Sequence, residues 1–549
     1  MTTSTYSREH LLSLPHMSQE RILAAIDMGT NSIHMVVVRI DPTLPAFNII
    51  AKEKATVRLG DRDRATGNLT PAAMERAMNA LRRCQEIARS LNAEDILAVA
   101  TSATREAPNG RDFLQRVEAE LGLTINLISG QEEARRIYLG VLSGVEFNSQ
   151  PHAMIDIGGG STELILGDGH EPRSLSSTKV GAVRLTAELV TTDPISTSEF
   201  AYLQAYVRGM LERPVEELRS HLRPGEVPRM VGTSGTIEAL AVLTAREKHG
   251  TIPDPLHGYQ FTLRELRDMV NHLRRLNYSD RCNLPGMNER RAEIILAGAV
   301  ILQEAMTLLG MEAITICERS LREGVVVDWM LTHGLIEDRL RFQSSIRERS
   351  VLRTARKYQV NLPYAERIAR HALSLFDQTR GKLHDWGEEE RELLWAATML
   401  HNCGHYVSHS AHHKHSYYLI RNGDLLGFTE LEIEAIANLA RYHRKSCPKK
   451  KHDTYRSLDS KKHRRMVEQL SPLLRMAVAL DRRQIGAIQS ITCEHRPSQG
   501  ELCLHLVPQH ANDECSLELW SLDYKKGCFE AEYGLKLVTQ LEPQAVAGR

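Results

Sequence analysis

A seven-residue pattern occurs twice in this chain, and it constrains the fold more than any other feature. Ile26-Asp27-Met28-Gly29-Thr30-Asn31-Ser32 is echoed by Ile155-Asp156-Ile157-Gly158-Gly159-Gly160-Ser161, 129 residues later. Both copies follow apolar residues, hold Asp, Gly and Ser in one register, and run into a second apolar stretch. An apolar run, a tight polar turn and another apolar run read as strand, turn, strand. A unit repeated at domain-length spacing predicts two similar domains facing each other across a cleft. A third glycine site, Val231-Gly232-Thr233-Ser234-Gly235-Thr236, precedes the helical run Ile237–Ala245. The first amides of a helix lack partners and carry the positive end of its dipole, so a glycine loop entering a helix suits an oxyanion.

Around these turns the chain mixes two periods. Short β-branched runs stand at Ile33–Ile40, Ile96–Ala100, Ile125–Ile128, Met154–Ile157, Thr162–Leu166 and Ala313–Ile316, with helical stretches such as Pro71–Leu91 and Arg111–Leu121 between them. This is an α/β pattern. Beyond about residue 335 strands nearly vanish: Val351–Tyr358, Pro363–Phe376, Glu388–His401, Thr429–Tyr442 and Ser471–Leu480 read as helices. Strand-like runs return near the end, at Gln489–Glu494 and Leu502–Val507. The 549 residues suffice for roughly three to five domains. Lys+Arg and Asp+Glu both number 69, and 42% of residues are apolar, which excludes a disordered, collagen-like or disulfide-stapled chain. Zero net charge also removes a whole-chain argument for nucleic-acid binding. No apolar run approaches the ~20 residues of a membrane span. The polar start, Met1 to Gln19, lacks a secretory apolar segment, so a cytoplasmic location is expected. The nine cysteines are scattered without a Cys-x-x-Cys and read as reduced thiols.

Phosphate needs many donors at close range, which glycine backbones and Ser/Thr hydroxyls supply. One such loop is also what a plain turn looks like; three, with two in matched register, point to phosphate. Asp156 and Glu163 flank the second turn and both can face it, an arrangement suited to a hard cation such as Mg²⁺. Glu163 also fits a solvated strand position. Ser129-Gly130-Gln131-Glu132-Glu133-Ala134-Arg135 starts a helix, where paired glutamates serve either the helix dipole or as a base for water, and spacing alone does not choose. Arg105, in Ala100–Arg105, is either a bidentate phosphate clamp or a surface arginine.

Taken in order, Asp27-Met-Gly-Thr-Asn-Ser-Ile-His-Met, Ala100–Arg105, Ser129–Arg135, Asp156-Ile-Gly-Gly-Gly-Ser-Thr-Glu and Gly232-Thr-Ser-Gly-Thr resemble the exopolyphosphatase/guanosine pentaphosphate phosphohydrolase (Ppx/GppA) family, within the sugar kinase, heat-shock chaperone and actin superfamily. The resemblance is strong over about 20–330 and looser through Trp395–His405, His412–Tyr418 and Arg441–Lys445. It implies an α/β fold of two actin-like domains, then an all-α HD-like domain and a small α+β C-terminal domain. The boundaries it suggests are a tail over 1–19, domain I over 20–136, domain II over 137–331, the helical domain over 332–487 and the last domain over 488–549. It implies Glu133 as general base, Asp156 and Glu163 at Mg²⁺, and phosphate contacts from Asn31, Ser32, Arg105, Gly158, Gly159, Gly160, Ser161, Thr162, Thr233, Ser234 and Gly235. The implied reaction is hydrolysis of terminal orthophosphate from inorganic polyphosphate, with guanosine pentaphosphate (pppGpp to ppGpp) as the alternative substrate. An ATP-dependent kinase of the same superfamily and a non-enzymatic sensor are the rival classes. Relatives with the helical domain tend to pair, so a homodimer is a further implication.

The back half departs from a working HD site. Where a His-Asp pair should offset a divalent cation, the chain has His401-Asn402; His371 and Asp481 are the other candidate ligands. A second catalytic metal centre is therefore not expected. From Arg441 to Arg483 there are fourteen Lys/Arg against four Asp/Glu. That run reads either as a solvated face or as a groove, with Arg441, His443, Arg444, Lys445, Lys449 and Lys450, that retains a long polyanion between turnovers. With 5% aromatic residues and no stacking platform, nucleic acid is not the expected partner.

Overall fold

The computed structural model describes residues 20–336 and 346–542, apart from Pro45, Arg64, Glu171, Asp424 and Asp459. The polar stretch 1–19, the expected start of the helical domain at 337–345 and the last seven residues lie outside the described residues. The chain divides into two compact units, 1–346 and 347–549.

In the first unit β1 (Arg21–Met28), β2 (Ser32–Asp41), β3 (Ala46–Thr56), β4 (Asp95–Ala100) and β5 (Ile125–Leu127) form a sheet in the order β3-β2-β1-β4-β5. A second sheet holds β6 (His152–Ile157), β7 (Thr162–Gly167), β8 (Ser174–Thr178), β9 (Arg229–Thr233), β10 (Gln260–Thr262) and β11 (Ala313–Ile316), in the order β10-β11-β9-β6-β7-β8. The repeat in the sequence is a repeat of topology. β1 pairs antiparallel with β2 through one glycine turn and parallel with β4; β6 pairs antiparallel with β7 through the other and parallel with β9. Every residue of β6 and β7 is buried, as a sheet covered on both faces requires.

One core joins the sheets: Leu23 and Val36 from the first, Met154, Ile165 and Val231 from the second, around Ile137, Tyr138 and Val326. The two helices that supply the middle, Gly130–Leu142 and Leu321–Thr332, cross with almost no space between backbones. A Cβ on Gly140 would sit 2.0 Å from the Ser320 carbonyl oxygen, and one on Gly324 1.7 Å from that of Arg136. Only glycine permits this approach, and it fixes Glu133 and Ser320 near one another.

The second unit packs the helices Ile346–Lys357, Leu362–Thr379, Glu388–Leu400, His412–Arg421, Glu430–Arg441 and Lys461–Ala479 with a sheet of β12 (Ile488–Arg496), β13 (Glu501–Pro508) and β14 (Lys536–Leu541), in that order. One hydrophobic core spans helices and sheet, from Ala365, Leu394 and Leu473 to Leu504 and Phe529. The helix expected to begin at Ser471 starts at Lys461 and runs through Pro472. Ser-Pro looks like a helix start, but buried Met466, Val467 and Leu470 carry the helix across it. The reading of nine reduced thiols is also corrected: Cys447 and Cys528 form a disulfide, 81 residues apart, a separation that leaves no motif in the sequence. No described helix is long and apolar enough to cross a membrane.

Candidate active site

The two glycine turns close identically. The Gly29 amide donates to the Ser32 carbonyl at 3.1 Å, and the Gly158 amide to the Ser161 carbonyl at 2.9 Å. In the first turn the carbonyls of Thr30 and Asn31 accept from the amides of Gly60 and of Val57 and Arg58. In the second, those of Gly158 and Gly159 accept from Ala182 and from Val183 and Arg184. With these carbonyls engaged, the tips offer N–H and hydroxyl groups, the donor set an oxyanion needs. The tips also meet: Thr30 Oγ1 lies 3.1 Å from Ser102 Oγ, and a Cβ on Gly160 would come within 2.3 Å of that same oxygen.

Between the turns is a cavity of about 130 Å³. Asn31, Ser32, Glu133, Asp156, Gly158, Gly159, Gly160, Ser161, Ser234 and Gly235, all expected from the sequence, line it. Four others named from the sequence stand behind it. The Thr162 hydroxyl donates to the Val180 carbonyl, and that of Thr233 to Asp156 Oδ2. Glu163 accepts from Ser177 at 2.7 Å. Arg105 Nη1 donates to the Ile128 carbonyl at 2.7 Å and to Glu133 Oε2 at 3.2 Å, so it holds a carboxylate rather than standing free as a clamp. The paired glutamates separate cleanly. Glu132 faces outward, bound by Arg135 and Arg136 at 2.7 Å each, whereas Glu133 is buried and reaches the cavity.

Acidic charge dominates the floor. Burial raises the Asp27 carboxyl to about 7, with Asp156 and Glu323 adding to the effect, and its Oδ1 has no hydrogen-bond partner. Burial also raises Asp156, although Ser320 and Thr233 hydroxyls donate to its Oδ2 at 2.6 and 2.5 Å. Burial and then Asp156 push Glu163 to about 8. Glu133 is raised well above the usual carboxylate range by burial and then Glu163, with Arg105 opposing. Arg291 and Arg322 are cations on the lining; burial disfavours the charge of Arg322, but Glu323, Asp27, Glu238 and Asp156 outweigh that and raise it.

A family model described as the Ppx/GppA phosphatase family matches residues 36–333, and one for domain III of the same phosphatases matches 346–526. The chain belongs to the Ppx/GppA phosphatase family. The crystal structure of an exopolyphosphatase from Cytophaga hutchinsonii is 26% identical, with a TM-score of 0.53, covering 57% of this chain and 98% of that one. The structure of the Aquifex aeolicus family member is 27% identical, with a TM-score of 0.49, over 58% and 99%. The two lobes of the first unit have the actin-like fold, followed by a largely helical C-terminal region.

The donors fit a hard divalent cation. Asp27 has an orphaned buried oxygen, Asp156 lines the same cavity, and burial leaves both short of positive charge. Among the described residues the cleft acids do not form a group of three with all ligand atoms within 4.8 Å; the group that does is Glu494, Cys503 and His505, on β12 and β13. An incomplete protein cage suits Mg²⁺, which keeps waters and substrate oxygens in its shell.

Sequence reasoning missed several lining residues: Asp27, Thr30, His34, Ser102, Arg291, Ser320 and Arg322. Burial and then Arg322 and Lys54 hold His34 down to about 2, so it is neutral. The signal for the Ser320 group was available. Ser320-Leu321-Arg322-Glu323 is a capping box at a strand-to-helix junction, with the Ser320 amide donating to Glu323 at 2.9 Å.

In the second unit the residues of the expected groove do not share one environment. Lys445, Lys449 and Lys450 are exposed and Arg441 and Arg444 half-buried, but His443 is only 2% exposed and belongs to the interior. Much of the surrounding basic run is paired, Lys462 with Glu390 at 2.7 Å, Arg465 with Glu532 at 2.6 Å and Arg483 with Asp513 at 2.7 Å.

Proposed function

We propose that this phosphatase is an exopolyphosphatase: it hydrolyses the terminal phosphoanhydride bond of inorganic polyphosphate and releases orthophosphate. The observation that carries the reading is that both matched turns and Glu133 line one small cavity. A terminal phosphoryl group would take its hydrogen bonds from the amides and hydroxyls of Thr30–Ser32 and Gly159–Ser161, and from the uncapped start of the helix Ser234–His249. Asp27 and Asp156 would hold Mg²⁺, which would supply charge neutralisation for the phosphoryl oxygens.

Glu133, ionised, accepts the proton of the attacking water. Burial raises its basicity, and Arg105 keeps its carboxylate aimed. Oxygen–phosphorus bond formation is matched by cleavage of the bridging P–O bond, whose electron pair leaves with the shortened chain. Arg322 stands ready to offset charge as the phosphoryl group loosens. Burial of the acids keeps bulk water from competing with the positioned one.

The test is a side-by-side product analysis with polyphosphates of defined length, guanosine pentaphosphate and ATP plus an acceptor. Orthophosphate release with chains shortened one unit at a time is the expected result. Faster cleavage of guanosine pentaphosphate would move the assignment to the 5′-phosphohydrolase reaction, and transfer from ATP would overturn hydrolysis.

A further inference from the structure

The outer face of the three-stranded sheet in the second unit carries a mixed set of donors that the cleft does not use. Along β13, Leu502, Leu504 and Leu506 belong to the core, so Cys503 and His505 take the opposite face. Glu494 of β12 pairs directly with Cys503 in the antiparallel ladder, which puts its side chain on that same face. A thiol, an imidazole and a carboxylate thus meet on two adjacent strands, and one ligand atom from each lies within 4.8 Å of the other two. Side chains rooted in a sheet hold their spacing better than side chains on loops.

The surrounding contacts prepare this set for a cation. His505 Nδ1 lies 2.7 Å from Glu542 Oε1, and its Nε2 lies 2.9 Å from Glu494 Oε2. Glu542 is itself placed by its amide, which donates to the Leu506 carbonyl at 2.8 Å. A carboxylate that accepts from Nδ1–H leaves Nε2 as the ligand nitrogen, the support that metal-binding histidines use. Arg496 also donates to Oε2 of Glu494, which leaves Oε1 for a cation. Cys503 lies fully buried beneath them as a free thiol. Exposed Glu494 and half-buried His505 form part of the wall of an open depression of about 530 Å³ that also takes in Lys382 and Thr492. Two of the three ligands are therefore reached from solvent.

The donor types select the ion. Sulfur and nitrogen disfavour a hard cation such as Mg²⁺ and favour one of borderline softness. Cys, His and Glu all bind zinc, at about 2.0–2.3 Å, so tetrahedral neighbours stand roughly 3.3–3.8 Å apart. Rotation of the exposed Glu494 side chain and of the half-buried imidazole covers the difference from 4.8 Å. With the thiol ionised and the ring neutral, the thiolate, Glu494, Glu501 and Glu542 outnumber Arg496, Lys536 and Lys382, so a divalent cation meets opposite charge.

We propose that Glu494, Cys503 and His505 form a zinc site, with a fourth position open to water. On binding, zinc takes the place of the thiol proton and of any proton between His505 Nε2 and Glu494, and these protons pass to solvent. Glu542 keeps the Nδ1 proton in place. The ion pins β12 to β13 and, through Glu542, holds the end of β14. The site stands whichever phosphate compound the cleft cleaves.

The test uses full-length protein, stripped of metal by chelation and kept anaerobic without added thiol, titrated with Co²⁺ and then with Zn²⁺. Cobalt reports thiolate ligation through a sulfur-to-metal charge-transfer band, which one equivalent of zinc should abolish. Cys503→Ser should lose the band. Glu494→Gln, an exposed change that folding tolerates, should keep the band but bind zinc about a hundredfold more weakly, and Glu542→Gln about tenfold more weakly. Zinc should raise the thermal midpoint of the unsubstituted protein and leave that of Cys503→Ser where it was. Absence of the band in the unsubstituted protein overturns the proposal, as does a band that survives Cys503→Ser, zinc affinity unchanged in Glu494→Gln, or Mg²⁺ competing with Zn²⁺ on equal terms. Glu494→Gln should still release orthophosphate from tripolyphosphate in Mg²⁺ at the original rate, which separates a failure of this site from a failure of the cleft.

Discussion

Each unit contains a buried cluster of ionisable groups, acidic in the first and basic in the second. In the first, Asp27, Glu133, Asp156 and Glu163 sit around one cavity, and burial raises all four carboxyl groups. In the second, burial lowers Lys525, Arg475, His401 and His443. Each cluster contains an orphaned polar atom, Asp27 Oδ1 in one and His401 Nε2 in the other. Isolated buried charge is costly, so a cluster of one sign is tolerated where a guest of the other sign repays the cost. The acids of the first cluster suit the cation and phosphoryl group of the proposed reaction.

The sharpest way to break this comparison is to remove the one side chain that makes the first cluster reactive. Glu133→Gln should lower phosphate release by about 10²- to 10⁴-fold while polymer binding persists, measured by single-turnover release and by dialysis. No replacement in the second cluster should approach that effect on hydrolysis.

Stability against pH should run in opposite directions in the two clusters. The folded-state carboxyl of Asp27 titrates near 7, above its usual 3.8, so folding takes up a proton between those values. Without metal, stability should therefore fall as pH rises from about 4 to 7, by an amount of order a few kcal/mol, and Asp27→Asn should flatten that slope. Lys525 titrates near 7 against a usual 10.5, so folding releases a proton in that window. Stability should rise from about pH 7 to 10.5, by about 1–2 kcal/mol because Lys525 is partly exposed to solvent, and Lys525→Met should remove the rise. Denaturant melts across pH, with and without Mg²⁺, read both slopes. A Lys525→Met protein that keeps the upper slope would place that charge elsewhere.

How much of this was readable in the chain depends on how local the chemistry is. The turns were legible because Asp, Gly and Ser recur within seven residues and fold where they stand. Glu132 and Glu133 were not separable, since both sit in the first turn of one helix and only the helix crossing at Gly140 and Gly324 decides which faces inward. Arg291 and Arg322 come from helices that begin some 130 residues or more after the second turn, and no local pattern ties them to it. The strands β3, β8 and β14 went unread because their exposed or half-buried positions interrupt the apolar run. The basic run from 441 to 483 is not one surface: charge adjacent in sequence is spread over buried, paired and exposed sites.

The smallest expected effect concerns what remains of that run. Replacing Lys445, Lys449 and Lys450 together with glutamine should slow turnover of long polyphosphate about three- to tenfold at low salt, lose that effect at high salt, and leave tripolyphosphate unchanged. An equal loss on both substrates would remove the exposed lysines from substrate retention.

Hydrolysis in water enriched in ¹⁸O probes the central claim, that the paired turns hold a terminal phosphoryl group for attack by water at its phosphorus. Each orthophosphate released should carry one solvent-derived oxygen, and the shortened chain none. Label in the remaining chain, or fragments from mid-chain cleavage, would contradict it.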